Sequence, residues 1–166
     1  MKALPILTLL ASSILALACE SEGENQTTSA PECASKLKWN GGNEGSALMN
    51  PGQDCIACHK KEGEGPQYQA AGTVFGALAE VDLCLGKSGI TVEITDHNGK
   101  VHTAITNASG NFSFSSAIAM PYTAKVKAGG KERAMIGAVS TGACNSCHTK
   151  TGASTGAPGR ILIPGV

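Results

Sequence analysis

The stretch GITVEITDHNGKVHTAITNASGNFSFS, residues 89–115, decides the fold. Apolar and polar residues alternate in its first part, where Ile90, Val92 and Ile94 fall at every second position, which is typical of a half-buried β-strand. The DHNG that follows at residues 96–99 is a strong hairpin signal, and a second alternating run returns from it. The stretch therefore predicts antiparallel β-structure.

The same pattern continues on both sides of this stretch. Short runs between turn signals predict six strands, at residues 72–76, 90–95, 100–106, 111–115, 122–127 and 133–139, with a hairpin loop at 129–131. Strands separated by turns at intervals of about 8–12 residues are typical of a β-sandwich. The sequence therefore predicts a mainly β body over residues 71–139.

Two C-x-x-C-H motifs lie outside that body, CIACH at residues 55–59 and CNSCH at residues 144–148. Two thiols three positions apart on one helical turn can bond the two vinyl groups of one porphyrin, and the adjacent histidine then faces the iron. The sequence predicts two covalently bound c-type haems. The predicted attachment residues are Cys55, Cys58, Cys144 and Cys147, and the predicted iron ligands are His59 and His148.

Three other uses of these cysteines compete with haem attachment. A structural zinc site needs a compact set of ligands, but about 85 residues separate the two motifs. A redox dithiol can use C-x-x-C, but it gives no reason for a histidine directly after both pairs. Two disulfides are the third alternative. The repeated motif favours haem over all three.

Each iron has a second axial position. Met49 lies six residues before the first motif and Met135 nine residues before the second, and we predict these as the distal ligands. Core packing is the alternative for a methionine. His97 belongs to the hairpin tip and is predicted to be a plain turn residue, while His102 faces either a haem or water. Arg160 is predicted either to pair with a haem propionate or to be a solvated surface charge.

The N-terminal residues predict export. Residues 1–18 combine Lys2, an apolar stretch and small residues at the end, as in a secretory signal peptide. Cys19 follows directly, and LALAC resembles a bacterial lipobox, which implies lipidation of Cys19; ordinary cleavage is the alternative. Residues 19–32 hold four glutamates and no lysine or arginine, so we expect a disordered acidic tether.

Two cysteines remain, Cys33 and Cys84. Because exported proteins fold in an oxidising compartment, we expect them to form a disulfide. The seven cysteines then divide into one for a lipid, four for two haems and two for the disulfide. The chain is close to neutral, with a pI of about 6.9, which argues against a nucleic-acid-binding protein.

The order of turns and strands resembles the carboxypeptidase regulatory-like (transthyretin-like) β-sandwich. The residues that carry the resemblance are Gly89–Val92, Asp96–Gly99, Thr106 and Gly110–Phe114. With a haem motif on each flank, the chain is similar to exported bacterial dihaem cytochrome c lipoproteins. The resemblance implies haem-binding segments of short helices and irregular loops at residues 33–70 and 140–166. We also expect the sandwich to bring the two motifs together.

The predicted function is extracytoplasmic electron transfer by a lipid-anchored dihaem cytochrome, more a carrier than an enzyme. The expected partners are other extracytoplasmic redox proteins and, through the lipid, a membrane, with the outer membrane weakly favoured by Glu20 after Cys19. One alternative is a haem enzyme or a gas or redox sensor with an open iron. Another is a structural or adhesive β-sandwich module.

Overall fold

A computed structural model describes residues 33–37, 39, 45–154 and 156–166. The predicted signal peptide, Cys19 and the tether up to residue 32 lie outside the described residues. The helices are α1 (Cys55–Glu62) and α2 (Cys144–Cys147), with a short 3-10 turn at Leu83–Leu85. The strands are β1 (Ala70–Phe75), β2 (Thr91–Thr95), β3 (Val101–Ile105), β4 (Asn111–Phe114), β5 (Thr123–Ala128), β6 (Lys131–Ala134) and β7 (Ile161–Leu162).

The strands form two sheets, and the protein is mainly β as predicted. One sheet has three strands in the order β4-β1-β7, and the other has four in the order β3-β2-β5-β6. All neighbouring strands pair antiparallel except β1 and β7, which are parallel. A parallel pair needs a long connection, and here that connection contains most of the protein.

Both sheets contribute side chains to one hydrophobic core. Ala70 and Val74 come from β1, and Ile94 from β2 is fully buried. The complete cluster is Ala70, Val74, Ile90, Val92, Ile94, Phe112, Phe114, Ile118, Tyr122 and Val126. The alternating apolar residues of the predicted strands therefore face each other across the two sheets.

Strand β6 differs from the prediction. The sequence placed this strand at residues 133–139 after a loop at 129–131, whereas pairing of β5 with β6 already begins at Ala128 and Lys131. Gly129 and Gly130 have φ values of 55° and 74°, which two glycines adopt easily and which permit a two-residue turn. Beyond Ala134, Val139 forms an isolated bridge with Tyr122.

Strand β1 lies between the core and the two C-x-x-C-H motifs. All six of its residues are buried, unlike a strand with one solvated face. On the side away from the core, the Arg160 guanidinium lies over the Phe75 ring at 5.1 Å. Strand β7, which follows the second C-x-x-C-H motif, pairs directly with β1. The second segment is thus part of the sheet and not only an appendage.

Candidate functional site

The first motif lies on α1. Asp54 caps this helix by accepting a hydrogen bond from the Ala57 N–H at 3.0 Å, and Gly63, with a φ of 70°, ends it. An aspartate at the N-cap and a glycine in the left-handed region at the C-terminal end are favoured for these positions. Cys55 and Cys58 therefore lie on one turn. Cys58 is exposed and Cys55 is half-buried.

The second motif lies on α2, a single turn held against β1. Its His148 N–H donates to the Cys144 carbonyl at 2.9 Å. The residues that lead into the turn pair with β1, because the Ala71 N–H donates to the Gly142 carbonyl at 2.9 Å. The second motif is consequently fixed to β1, the central strand of the three-stranded sheet.

Both motif histidines have the same hydrogen bond. Nδ1 of His59 lies 2.8 Å from the Pro66 carbonyl oxygen, and Nδ1 of His148 lies 2.9 Å from the Gly159 carbonyl oxygen. A carbonyl only accepts, so each Nδ1 must donate, and the proton of the neutral ring is then on Nδ1. This leaves the Nε2 lone pair as the ligand atom, the arrangement that commonly orients metal-binding histidines.

The Nε2 atoms are available. Within the described part of the chain, neither Nε2 atom makes a hydrogen bond. Neither is a fully buried atom that lacks a hydrogen-bond partner. Burial lowers the pKa of His148, an effect that the hydrogen bond to Gly159 only partly opposes. The lowered pKa favours the neutral ring, which is the form that binds a metal.

The cysteines are poor candidates for a redox dithiol. Burial raises the pKa of Cys55 to about 11, with Asp54 adding to it, and burial likewise raises the pKa of Cys144 to about 11. Reactive dithiol cysteines have lowered values, because the thiolate is the nucleophile. Cys55, Cys58 and Cys144 are free thiols, whereas Cys147 is disulfide-bonded.

A zinc site is also disfavoured at the motifs. Among the described residues, the only group of three or more potential metal ligands with donor atoms within 4.8 Å of one another is Cys33, Asp82 and Cys84. None of them belongs to either C-x-x-C-H motif. A structural zinc site requires four converging donors, and the motif side chains do not provide them.

The two motifs are neighbours although they are far apart in sequence. Helices α1 and α2 both contact β1, and Asn145 of the second motif donates from Nδ2 to the Gln53 carbonyl at 2.8 Å. The expectation that the sheets bring the motifs together holds for the polypeptide. The sequence did not single out Asn145, because the two positions between the cysteines of such a motif carry no chemical requirement.

Among the described residues, no hydrogen bond involves the sulfur of Met49 or Met135, the two predicted distal ligands. Met49 and Met135 are half-buried. Their hydrogen bonds are through the main chain: Asn111 donates to the Met49 carbonyl at 2.9 Å, and the Met135 N–H donates to the Ala124 carbonyl at 2.9 Å. Their ligation of iron stays a prediction.

His102 faces neither a haem nor water. It is buried, and its Nε2 lies 3.0 Å from Asp96 Oδ2. Because a carboxylate only accepts, Nε2 carries the proton and is not free to bind iron. His97 is exposed at the hairpin tip, as predicted.

Arg160 is not a solvated surface charge. It is only 9% exposed. Its Nη1 donates to the Gly52 carbonyl at 3.3 Å and its Nε to the Glu80 carbonyl at 3.4 Å. The guanidinium thus bonds the backbone at Gly52, just before the first motif, and at Glu80. The sequence did not indicate this role.

Cys33 and Cys84, the pair left over in the sequence, form a disulfide with a Cα–Cα distance of 5.0 Å. Cys84 is fully buried in the 3-10 turn, where Asp82 accepts a hydrogen bond from the Cys84 N–H at 2.9 Å. Asp82 also accepts from the Ser35 N–H at 2.8 Å. The beginning of the described chain is therefore fastened to the loop after β1.

Among the described residues, no helix is both long enough and apolar enough to cross a membrane. Comparison with known protein families, curated proteins and solved structures found no match for this chain.

Proposed function

We propose that the protein is an exported dihaem c-type cytochrome that transfers electrons between extracytoplasmic redox partners. One observation carries the proposal. Both C-x-x-C-H histidines donate Nδ1–H to a backbone carbonyl, at 2.8 Å for His59 and 2.9 Å for His148, and so keep Nε2 for a metal. Two sites of different local structure are not expected to share this arrangement by chance.

The residues of the first site fit a c-type haem completely. Cys55 and Cys58 are free thiols on one helical turn, and His59 offers Nε2. When bound, the haem would supply the one-electron chemistry, while the protein would provide the attachment thiols and a proximal ligand. Tyr68 supports the ligand ring, with ring centroids 5.3 Å apart.

The second site fits except for one sulfur. Cys144 is a free thiol and His148 has its Nε2 available, but Cys147 is disulfide-bonded. A thioether forms only from a free thiol. Haem attachment at the second motif therefore requires Cys147 to be reduced. The Cys147 sulfur can belong either to this disulfide or to a thioether with haem, but not to both.

Intact mass and the visible spectrum of the purified full-length protein test the proposal. We expect the mass of two haems, with one haem lost in Cys55→Ala/Cys58→Ala and the other lost in Cys144→Ala/Cys147→Ala. Cys33→Ser/Cys84→Ser is the matched control and should retain both. Absence of haem from the wild-type protein matured with c-type haem attachment would leave the structural β-module as the function.

An open iron is the second candidate, and it has an observation in its favour: Nε2 of His102 is bound to Asp96 and not available as a distal ligand. Carbon monoxide that shifts the reduced spectrum would support an enzyme or sensor. An unchanged spectrum supports the electron carrier.

Methionine ligation has a test of its own. Met49→Ala and Met135→Ala should each weaken the sulfur-to-iron charge-transfer band, and an unaltered band in both variants would contradict methionine ligation.

The finer fold assignment, a carboxypeptidase regulatory-like sandwich, is part of the proposal. It is supported by the tight hairpin at Asp96–Gly99, where Asp96 accepts from the Asn98 and Lys100 N–H groups at 3.0 Å. It is also supported by Phe112 and Phe114 of β4, which both enter the core. An experimental structure whose strand order differs from that fold would exclude it.

Lipid anchoring at Cys19 completes the proposal, with a location in the periplasm or at the cell surface, on the outer membrane by preference. The Cys33–Cys84 disulfide supports an oxidising compartment. We expect Cys19→Ser to move the protein from the membrane fraction to the soluble exported fraction, with Cys33→Ser/Cys84→Ser as the control. Membrane retention of Cys19→Ser would contradict anchoring through this residue.

A further inference from the structure

The backbone just before α1 is held by side chains from elsewhere in the chain. The Gln53 carbonyl accepts from Asn145 Nδ2 at 2.8 Å, and the Gly52 carbonyl accepts from Arg160 Nη1 at 3.3 Å. The Gly52 N–H donates to Thr73 Oγ1 at 2.8 Å. The approach to the first motif is thus bonded to residues of β1 and of the segment that contains the second motif.

Asn145 is the centre of this arrangement. It is 5% exposed. Its Oδ1 accepts from the Thr73 N–H at 3.1 Å, and its Nδ2 donates to both the Gln53 carbonyl and Thr73 Oγ1, the latter at 3.2 Å. Both amide hydrogens and the amide oxygen are therefore used, which fixes the orientation of the side chain.

The network continues to the loop that holds Met49. Thr73 Oγ1 donates to Asn111 Oδ1 at 2.8 Å, and Asn111 Nδ2 donates to the Met49 carbonyl at 2.9 Å. Buried hydrogen-bond networks with every member satisfied rigidify a structure. The same network thus reaches the approach to α1 and the predicted distal ligand of an iron.

The hydrogen bond between the two motif segments lies near the first cysteine of each motif. Asn145 follows Cys144 directly, and Gln53 lies two residues before Cys55. The hydrogen bond between Asn145 and Gln53 therefore joins the two attachment points by a short route.

We propose that Asn145 is a positioning residue that fixes the two haem-attachment motifs to each other and so sets how the two haems exchange electrons. The inference rests on the proposed function for its haem part. The hydrogen-bond network itself belongs to the polypeptide. It can therefore be measured whether or not haem is present.

Amide hydrogen exchange of the full-length protein is the first test, read over residues 50–54. We expect Asn145→Ala to speed exchange there about tenfold, because loss of the side chain frees the approach to α1 to open locally. Ser146→Ala is the matched control, since Ser146 Oγ bonds the Ala143 carbonyl at 2.6 Å within the same short helix. Exchange in Asn145→Ala equal to that in Ser146→Ala would overturn the proposal.

Thr73→Val is the second variant and removes the hydroxyl at the other end of the network. Thr73→Val should speed amide exchange over residues 50–54. If Asn145→Ala does not fold, the result for Thr73→Val tests the proposal by itself. An unaltered rate in Thr73→Val would overturn the proposal as well.

A third measurement separates positioning from mere support. In protein that carries both haems by mass, Asn145→Ala should alter the magnetic interaction between the two ferric irons, whereas Ser146→Ala should not. An unchanged interaction would limit Asn145 to a structural role and overturn its proposed effect on electron exchange. Wild-type protein without haem would refute the proposed function, while the exchange test would still decide the role of Asn145 in joining the motifs.

Discussion

Tyr122 shows how one side chain joins the core to the second motif. Its ring is 2% exposed, its hydroxyl donates to the Thr141 carbonyl at 2.8 Å, and Cys144 Sγ lies 4.0 Å from the same hydroxyl. Burial raises the pKa of Tyr122 strongly, so the hydroxyl remains a donor throughout the physiological pH range. The segment before α2 is held by this bond.

We expect Tyr122→Phe to lower the free energy of unfolding by about 1 kcal/mol, because the Thr141 carbonyl loses its donor. Urea denaturation measures the change. Tyr68→Phe is the control, since the Tyr68 hydroxyl makes no hydrogen bond among the described residues and its ring contact with His59 remains. Equal stabilities of the two variants would contradict the importance of this bond.

Asp96 gives a prediction for pH. The hydrogen bond from His102, together with those from neighbouring main-chain N–H groups, holds the pKa of Asp96 below its usual value. A lowered folded-state pKa stabilises the protein above the unfolded pKa of about 3.9, and the stabilisation is lost as pH falls through the folded value.

Asp96→Asn should therefore be less stable than wild type at pH 7, and the difference should shrink on acidification from about pH 5 to pH 3. Thermal unfolding across this range measures it. Asp54→Asn is a useful control, because asparagine also serves as an N-cap and should keep α1 capped. A difference for Asp96→Asn that is constant with pH would refute the assignment.

The sequence singles out the two motif histidines but not the groups that orient them. His59 and His148 follow from the motif. Their partners are the carbonyls of Pro66 and Gly159, and since every residue has a carbonyl, no sequence signal marks the acceptor. Asn145 was missed for a similar reason, because its importance depends on what lies opposite it in the fold.

At the scale of elements, β1 and α2 approach each other through a glycine. A Cβ placed on Gly72 would lie 2.9 Å from Cys144 Cβ and 2.9 Å from Phe112 Cζ. The backbone of Gly72 is extended, so the absence of a side chain matters for space and not for conformation. This close approach presses the second motif against the sheet.

Gly72→Ala should accordingly destabilise the protein by about 1–3 kcal/mol, the usual range for overpacking, and should loosen α2. Urea denaturation and thiol accessibility of Cys144 measure the two effects. The matched control is Gly137→Ala, where a Cβ would meet nothing within 4 Å and stability should stay within about 0.5 kcal/mol of wild type. If Gly72→Ala leaves the free energy of unfolding unchanged, α2 moves to accommodate the added methyl group without loss of stability.

Elements with a clear period were predictable, and those fixed by tertiary pairing were not. Strands β2 to β5 lie within one or two residues of their predicted limits because alternation and turns mark them. Strand β7 has only Ile161 and Leu162, too few residues to show a period. Its partner β1 is far away in sequence, so only the folded structure reveals the pairing.

At the scale of the whole molecule, the Cys33–Cys84 disulfide closes a long loop. The two residues are 51 positions apart, and the loop contains the entire first motif. In the chain-entropy model a bond that closes a loop of this size stabilises the folded state by about 4 kcal/mol, although measured values are often about 2–4 kcal/mol.

Cys33→Ser/Cys84→Ser should therefore lower the free energy of unfolding by about 2–4 kcal/mol, measured by urea denaturation under non-reducing conditions. Wild-type protein unfolded in the presence of a reducing agent should lose at least as much stability as the variant does, because the reducing agent also breaks the disulfide of Cys147. An unchanged urea midpoint would show that the disulfide contributes nothing to global stability.

The parallel pairing of β1 with β7 has a consequence for how the molecule is made. A ribosome delivers the chain from the N-terminus, so β1 appears early, and its edge at Val74 and Phe75 has no partner strand until Ile161 and Leu162 have been produced. Both C-x-x-C-H motifs have by then been synthesised. The three-stranded sheet is therefore completed only after all four cysteines of the two motifs have been made.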